Sequence, residues 1–318
     1  MKHFTNKTKA VTIVVMLLFV VKSGKAQFDY LFTQYMFNET FINPAYAGSK
    51  EAMSATLAHR QQWVNFAGRP ITTSFAVHGP LMNNKMGIGL SVLNEKIGVL
   101  NQNLVYINYA YRIKTGEKST LALGLMGGIH NQVNRFADLK TNDDGTVDSQ
   151  FANSPSTIAP NFGTGVYFNT KTFFAGLSIP RMINDQVKFA TNGAVTVNTK
   201  IEPQKFTYYL TVGNVFKLSD DLKLKGQAMI KAVQNAPIQF DLNANFLIKE
   251  KIWAGLAYRS GSAAAVIAGL QISPQFLASY SYDYSLSAIQ KYSMGSHEIV
   301  LSYLFSYKGK KVVTPRYF

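Results

Sequence analysis

Apart from His3 near the N-terminus, the chain carries four histidines, His59, His78, His130 and His297. These are its most versatile acid–base and metal-binding side chains. A zinc site needs three or four such ligands held together, often as a close pair on one helix. Here the four are dispersed over separate extended segments, and they read as polar residues of strand faces. No Gly-x-Ser-x-Gly or comparable nucleophile setting occurs. With no cysteine there are no thiolates, disulfides or Cys-based metal sites. The expectation is no enzyme, no catalytic residue, no cofactor and no metal.

Two other stretches have the right residue types for binding. Asn142-Asp143-Asp144-Gly145-Thr146-Val147-Asp148 places hard oxygen donors around a sharp glycine turn, as a Ca²⁺ loop does. It lacks the following bidentate Glu and reads as an ordinary solvated turn. The stretch Arg60-Gln61-Gln62-Trp63-Val64-Asn65-Phe66-Ala67-Gly68-Arg69-Pro70 is different, because Trp63 and Phe66 in a loop are costly to leave in water. Either the loop folds inward or sits at the lipid interface, or Arg60, Gln62, Trp63, Phe66, Gly68, Arg69 and Pro70 form a docking surface. Trp, Phe and Arg are the usual anchors of such surfaces.

The elements that must position these residues are strands. Beyond the N-terminal leader, two-residue alternation recurs in segments of about ten residues, the length of a tilted membrane strand. The clearest is 238–248, with Ile238, Phe240, Leu242, Ala244, Phe246 and Ile248 on one face and Gln239, Asp241, Asn243 and Asn245 on the other. Strands are expected near 51–60, 71–79, 86–95, 102–113, 119–130, 161–168, 171–179, 205–217, 221–232, 238–248, 251–259, 263–272, 275–284 and 296–306. Lys223, Lys225 and Lys231 share the polar face of one of them. Facing lipid at the midplane, each would cost about 2–4 kcal/mol, so they must face a lumen.

That set is even in number, as a bacterial single-chain barrel requires. Tight connections at 114–118, Asn169-Thr170, Ser219-Asp220, Lys249-Glu250 and Ser273-Pro274 alternate with longer ones at 61–70, 131–160, 180–204 and 285–295. Connections near 233–237 and 260–262 are short exceptions. Short turns belong in the periplasm and long loops outside, so both mature ends are expected in the periplasm. The fold expected is all-β, a transmembrane antiparallel barrel of about 14 strands in the cell outer membrane. A soluble all-β sandwich is the competing reading, and it would need its apolar face turned inward.

Both ends of the chain add to this. Lys2, Lys7 and Lys9 precede an apolar run, Ala10 to Val21, and Gly24-Lys25-Ala26 predicts cleavage before Gln27. Residues 1–26 are thus expected to be a signal peptide, 27–50 a periplasmic or plug segment, 51–306 the barrel and 307–318 a basic tail. The signal holds five lysines and no acid, so the formal charge of +15 becomes +10 in the mature chain. That excess is scattered, with no nucleic-acid module. Charged residues make up 15% against 13% aromatics. A soluble domain has about 25% charged residues, and the deficit fits a surface that meets lipid. Tyr35, Asn43 and Pro44, with Arg316, Tyr317 and Phe318 of the tail, are candidate periplasmic contacts. The segment around the first three either caps the periplasmic mouth or enters the lumen.

These segments, in order, resemble the PorP/SprF family of type IX secretion and gliding-motility membrane proteins. The resemblance rests on Gln34-Tyr35-Met36-Phe37-Asn38, Asn43-Pro44-Ala45-Tyr46-Ala47-Gly48, Arg60-Gln61-Gln62-Trp63 with Phe66, Gly68 and Pro70, and Pro315-Arg316-Tyr317-Phe318. Gly79-Pro80-Leu81, Gly87-Ile88-Gly89-Leu90 and Tyr109-Ala110-Tyr111-Arg112-Ile113 extend it over most of the mature chain. Asn38-Glu39-Thr40 departs from the Asn-Pro expected there. The resemblance implies a non-enzymatic outer-membrane component that helps secrete and hold exported cargo, such as a large surface adhesin, through its type IX C-terminal sorting domain. It also implies a link to a periplasmic, peptidoglycan-bound secretion component. The alternative is an outer-membrane channel for small solutes or apolar ligands.

Overall fold

The computed structural model describes residues 32–138, 154, 156–189 and 195–305. The expected leader and cleavage site, the 142–148 stretch and the tail with Arg316, Tyr317 and Phe318 lie outside these residues.

Fourteen strands close into one antiparallel barrel. In chain order they are β1 (Met53–Gln61), β2 (Ile71–Leu81), β3 (Met86–Ile97), β4 (Leu100–Gly116), β5 (Ser119–Asn134), β6 (Ser156–Asn169) and β7 (Phe173–Ile179). After β8 (Ile183–Phe189) and β9 (Val195–Ile201), which pair only with each other, the wall resumes. It continues as β10 (Thr207–Lys217), β11 (Leu222–Val233), β12 (Gln239–Ile248), β13 (Ile252–Arg259), β14 (Ala263–Gln271), β15 (Phe276–Ser285) and β16 (Ser296–Phe305). Each strand pairs with its sequence neighbour in the wall, and β1 closes on β16 with Met53 opposite Phe305 and Gln61 opposite His297. Closure leaves no open edge, which lipid would not tolerate.

Every expected strand is present. The difference lies in 180–204, expected as a plain outer loop, which contains the β8–β9 hairpin.

The alternation divides the wall as the physics demands. Ile107, Leu125, Phe162, Leu210, Leu242, Leu256 and Ile299 point outward and are exposed in the isolated chain. So broad an apolar surface does not face water, and it excludes the soluble sandwich. Inward lie Ser54, Thr56, Ser91, Asn108, Gln227, Asn243, Ser281 and Lys225 with Lys231, all buried.

One rim is made wholly of brief connections, at 82–85, 117–118, 170–172, 218–221, 249–251 and 272–275. The opposite rim carries 62–70, 135–155, 180–206 and 286–295, along with short links at 98–99, 234–238 and 260–262. The 98–99 link is a third short exception to the expected asymmetry. Phe305 leaves β16 at the short-turn rim, as expected of the C-terminal side.

The lumen is filled. Residues 32–50 run down it, and all but Phe37 are buried. Phe32, Tyr35, Phe41 and Ile42 pack with Leu93, Leu104, Tyr106, Met126, Tyr209 and Met229 of the wall. Lower down, Ala45 and Tyr46 pack with Ala122, Tyr167, Phe174 and Val215. Of the two placements open for this segment, it is the lumen that is occupied. The water-filled bore that would have solvated the inward lysines is replaced by protein.

Candidate functional site

The plug descends by three single-turn 3-10 helices, Tyr35–Phe37, Glu39–Phe41 and Pro44–Tyr46. Asn38, at φ −120° and ψ 27°, separates the first two turns, and the extended Asn43 before Pro44 separates the second from the third. Asn43 organises the last turn. Its Oδ1 accepts from Ala45 N at 3.0 Å, and its Nδ2 donates to Val166 O of β6 at 2.9 Å. Ser178 Oγ donates to Ile42 O at 2.6 Å. One asparagine thus caps the plug turn and fastens it to the wall.

The wall makes room for this turn with glycine. A Cβ on Gly165 would fall on the Asn43 side chain, one on Gly124 on the backbone of Ala45, and one on Gly87 on the carbonyl of Ala47. At the base, Gly48 takes φ +76°, and its N donates to His78 Nδ1 at 3.1 Å. His78 is therefore an acceptor at Nδ1 and a plug ligand. We expect Gly165→Ala to destabilise the docked plug by about 1–3 kcal/mol, since overpacking forces Asn43 off both its bonds. The check is the urea midpoint of the barrel in detergent, which should fall.

The upper end of the plug is held by charge. Arg60 contacts Asp283 at 2.7 Å and Glu298 at 3.2 Å, with all three side chains almost fully buried. Glu298 accepts from the backbone N–H groups of Thr33 and Gln34, both at 2.9 Å. Thr33 Oγ1 donates to Asp283 at 2.5 Å and accepts from Arg60 at 2.9 Å. Opposite, Arg259 pairs with Asp241 at 2.8 Å and donates to Phe32 O at 2.8 Å. Strands β1, β12, β13, β15 and β16 each send one of these groups inward near the long-connection rim. Phe32 therefore lies near that rim, and the described chain runs from there down to β1.

Midway, Glu39 accepts from Gln227 Nε2 at 3.4 Å.

These positions recast the expected contacts. Tyr35, Asn43 and Pro44 face the lumen wall and are buried, so they do not offer a periplasmic surface. Arg60 likewise is 3% exposed and belongs to the plug lock, not to the rim; Pro70 is buried too. Gln62, Trp63 and Arg69 are half-buried, while Phe66 and Gly68 are exposed.

The loop carrying them is tied down. Gln62 N donates to Pro70 O at 2.9 Å, closing its neck. Val64 and the segment 294–295 exchange two backbone bonds, Val64 N to Gly295 O at 2.8 Å and Met294 N to Val64 O at 2.9 Å. Trp63 N reaches Ser296 Oγ at 3.1 Å, and Gly98 N donates to Gly68 O at 2.9 Å. Trp63 takes φ +53° and stands edge-on to Phe66. A non-glycine residue held there costs about 1–3 kcal/mol. Such a cost is met only by surroundings that over-determine the loop, as this bonding does.

Sequence reasoning missed Asp283, Glu298, Arg259, Asp241 and the glycine wall as a set. The signal available was charge on the inward parity of apolar strands, but their pairing depends on barrel closure and on a plug 250 residues away in sequence, as Thr33 is from Asp283. Among the described residues no group of acids and histidines could hold a metal ion.

Residues 24–303 match the family described as type IX secretion system membrane protein PorP/SprF. No curated protein matches. Among solved structures, the chain is similar to a FadL homologue from Pseudomonas aeruginosa at 11% identity and a TM-score of 0.45, covering 83% of this chain and 92% of that one. It is similar to the same degree to the CymD monoaromatic hydrocarbon channel, 11% identical with a TM-score of 0.45, covering 85% and 93%. The NanC porin gives 12% identity and a TM-score of 0.40, covering 80% and 100%. These are likenesses of fold alone.

Proposed function

Because the chain belongs to the PorP/SprF family of type IX secretion system membrane proteins, we propose that this outer-membrane barrel is a non-enzymatic anchor for exported cargo. The cargo, such as a large surface adhesin, is held through its C-terminal sorting domain at the long-connection rim. The short-turn rim faces the periplasmic part of the machinery, where a peptidoglycan-bound component is the expected partner. The observation that carries this reading is the pairing of a filled lumen with a braced rim. A barrel whose bore is packed with its own chain is suited to holding things, and the braced aromatic loop at 62–70 stands where a cargo leaving the cell would meet it.

Binding would use Trp63 and Phe66 as apolar anchors and the loop backbone as hydrogen-bond donor and acceptor, with no bond made or broken. Deleting the gene should leave the cargo in the medium instead of on the cell; cargo still attached at the normal level refutes the anchor. A finer test is Trp63→Ala with Phe66→Ala. Losing two central aromatic anchors should lower surface-retained cargo by about tenfold or more, while the barrel still reaches the outer membrane in normal amount. Fluorescent labelling of the cargo on intact cells measures both.

A further inference from the structure

The outer face of β3, β4 and β5 changes character in order toward the long-connection rim. On β3 the outward residues run Leu90, Val92, Asn94, Lys96, and on β4 they run Ile107, Val105, Asn103, Asn101. On β5 they run Leu125, Gly127, Ile129, Asn131, Val133, and Arg135 lies just past the strand end. The amides form a row, with Asn94 opposite Asn103 and Asn103 opposite Asn131. Asn94 Nδ2 donates to Asn103 Oδ1 at 2.8 Å and to Asn101 Oδ1 at 2.7 Å. Asn131 Oδ1 is buried without a hydrogen-bond partner. On the far side of the barrel the order is missing. There β12, β13 and β14 stay apolar or aromatic outward up to that rim, ending at Phe240, Tyr258 and Ala264.

Three cations gather above the amide row, around the link at 98–99. Lys96 stands opposite both Ile71 and Asn101. Arg69 follows Gly68, whose O accepts from Gly98 N at 2.9 Å, and Arg135 N donates to Val99 O at 2.9 Å. Lys96 and Arg135 are exposed, and Arg69 Nε is buried without a partner. Among the described residues no carboxylate forms an ion pair with any of the three. Glu95 points inward and accepts from Thr72, while Asp138 lies on the turn after Arg135. Apolar, then hydrogen-bonding, then cationic groups match a ligand built in the same order. We propose that this face binds a phosphorylated glycolipid of the outer leaflet. Its acyl chains lie along Val105, Ile107 and Ile129, and its headgroup hydroxyls and amides meet Asn103 and Asn131. Its phosphate sits among Lys96, Arg69 and Arg135, where charge-assisted hydrogen bonds are strong. The site rests on the barrel's place in the outer membrane and not on the anchoring role.

The test is native mass spectrometry of the purified protein in a nonionic detergent, reading the fraction carrying one added lipid. The probes are bisphosphorylated lipid A, the same lipid without its phosphates, and phosphatidylglycerol, which has a phosphate but no sugar. Lipid A should bind about tenfold more tightly than either of the others. Lys96→Gln with Arg135→Gln should weaken lipid A about tenfold or more. Lys114→Gln with Lys118→Gln, which removes two exposed cations from the short-turn rim, should leave it unchanged. Asn103→Leu should weaken lipid A and spare phosphatidylglycerol. Heat-modifiable gel mobility shows that each variant is folded. Phosphatidylglycerol binding as tightly as lipid A, or equal losses in the two double variants, would reduce the effect to general charge and overturn the site. So would unchanged affinity in the folded Lys96→Gln, Arg135→Gln protein, or displacement of lipid A by an equal concentration of inorganic phosphate. Because the measurement uses no cargo, a refuted anchor would leave its result standing.

Discussion

Arg60→Ala should loosen the plug from the barrel while leaving the barrel itself closed. The guanidinium is the only cation in contact with Asp283 and Glu298 among the described residues, and it also donates to Thr33. Removing it strands two carboxylates that are 1% and 0% exposed. Breaking a buried ion pair by deleting one partner typically costs about 3–5 kcal/mol, and here the cost falls on the docked state. The wall does not share it, because β1, β15 and β16 remain joined by their own backbone register. The expected result is a barrel with normal heat-modifiable mobility whose residues 32–50 become cleavable by added protease, where the unaltered protein resists. Arg60→Lys should rescue only in part. A single ammonium cannot reproduce the fork that reaches Asp283 through one nitrogen and Glu298 and Thr33 through the other. Neutralising the acids as well, in Arg60→Met with Asp283→Asn and Glu298→Gln, should restore much of the resistance. Cleavage no faster in Arg60→Ala than in the parent would remove this lock from the account.

Deleting residues 32–46 should turn a silent barrel into a conducting one. Those residues supply the inner half of both packed clusters, so their loss opens the bore without cutting any strand pair. Lys225 and Lys231 would then line water, and a lumen lined by cations favours anions. In planar bilayers the complete protein should show no steady open level, and the deletion variant should show one with anion selectivity. Steady conductance by the complete protein would mean that the plug is not resident, and would favour the channel reading.

The wall was readable from the sequence because lipid and lumen impose a period of two on every strand. Ile238 to Ile248 is the plainest case, and the structure keeps Asp241, Asn243 and Asn245 inward as that period requires. The β8–β9 hairpin went unread although Val195, Val197 and Ile201 alternate with Thr196, Asn198 and Lys200, since alternation alone does not tell a strand of the wall from a hairpin beside it. The plug was recognisable as something other than a strand, yet its place was open, because its contacts join residues from most strands of the wall, far apart in the chain. Arg60 shows the difficulty best. Beside Trp63 it reads as a loop anchor, but strand parity places it on the inward face with Ser54, Thr56 and Ala58, and only closure of β1 on β16 brings Glu298 opposite it. The glycines were equally silent: Gly124 and Gly165 look like weak points of strands until Asn43 and Ala45 are seen against them.

The central claim is that the rim carrying Trp63 and Phe66 meets exported cargo. The most direct measurement places a photocrosslinking amino acid at position 66 in living cells, with position 117 on the opposite rim as the comparison. The expected result is a light-dependent adduct from position 66 with a secreted polypeptide, mapping to its C-terminal domain, and none with that polypeptide from position 117. Adducts with the same cargo from 117 and not from 66, or none from 66 while the cargo is on the surface, would contradict the account.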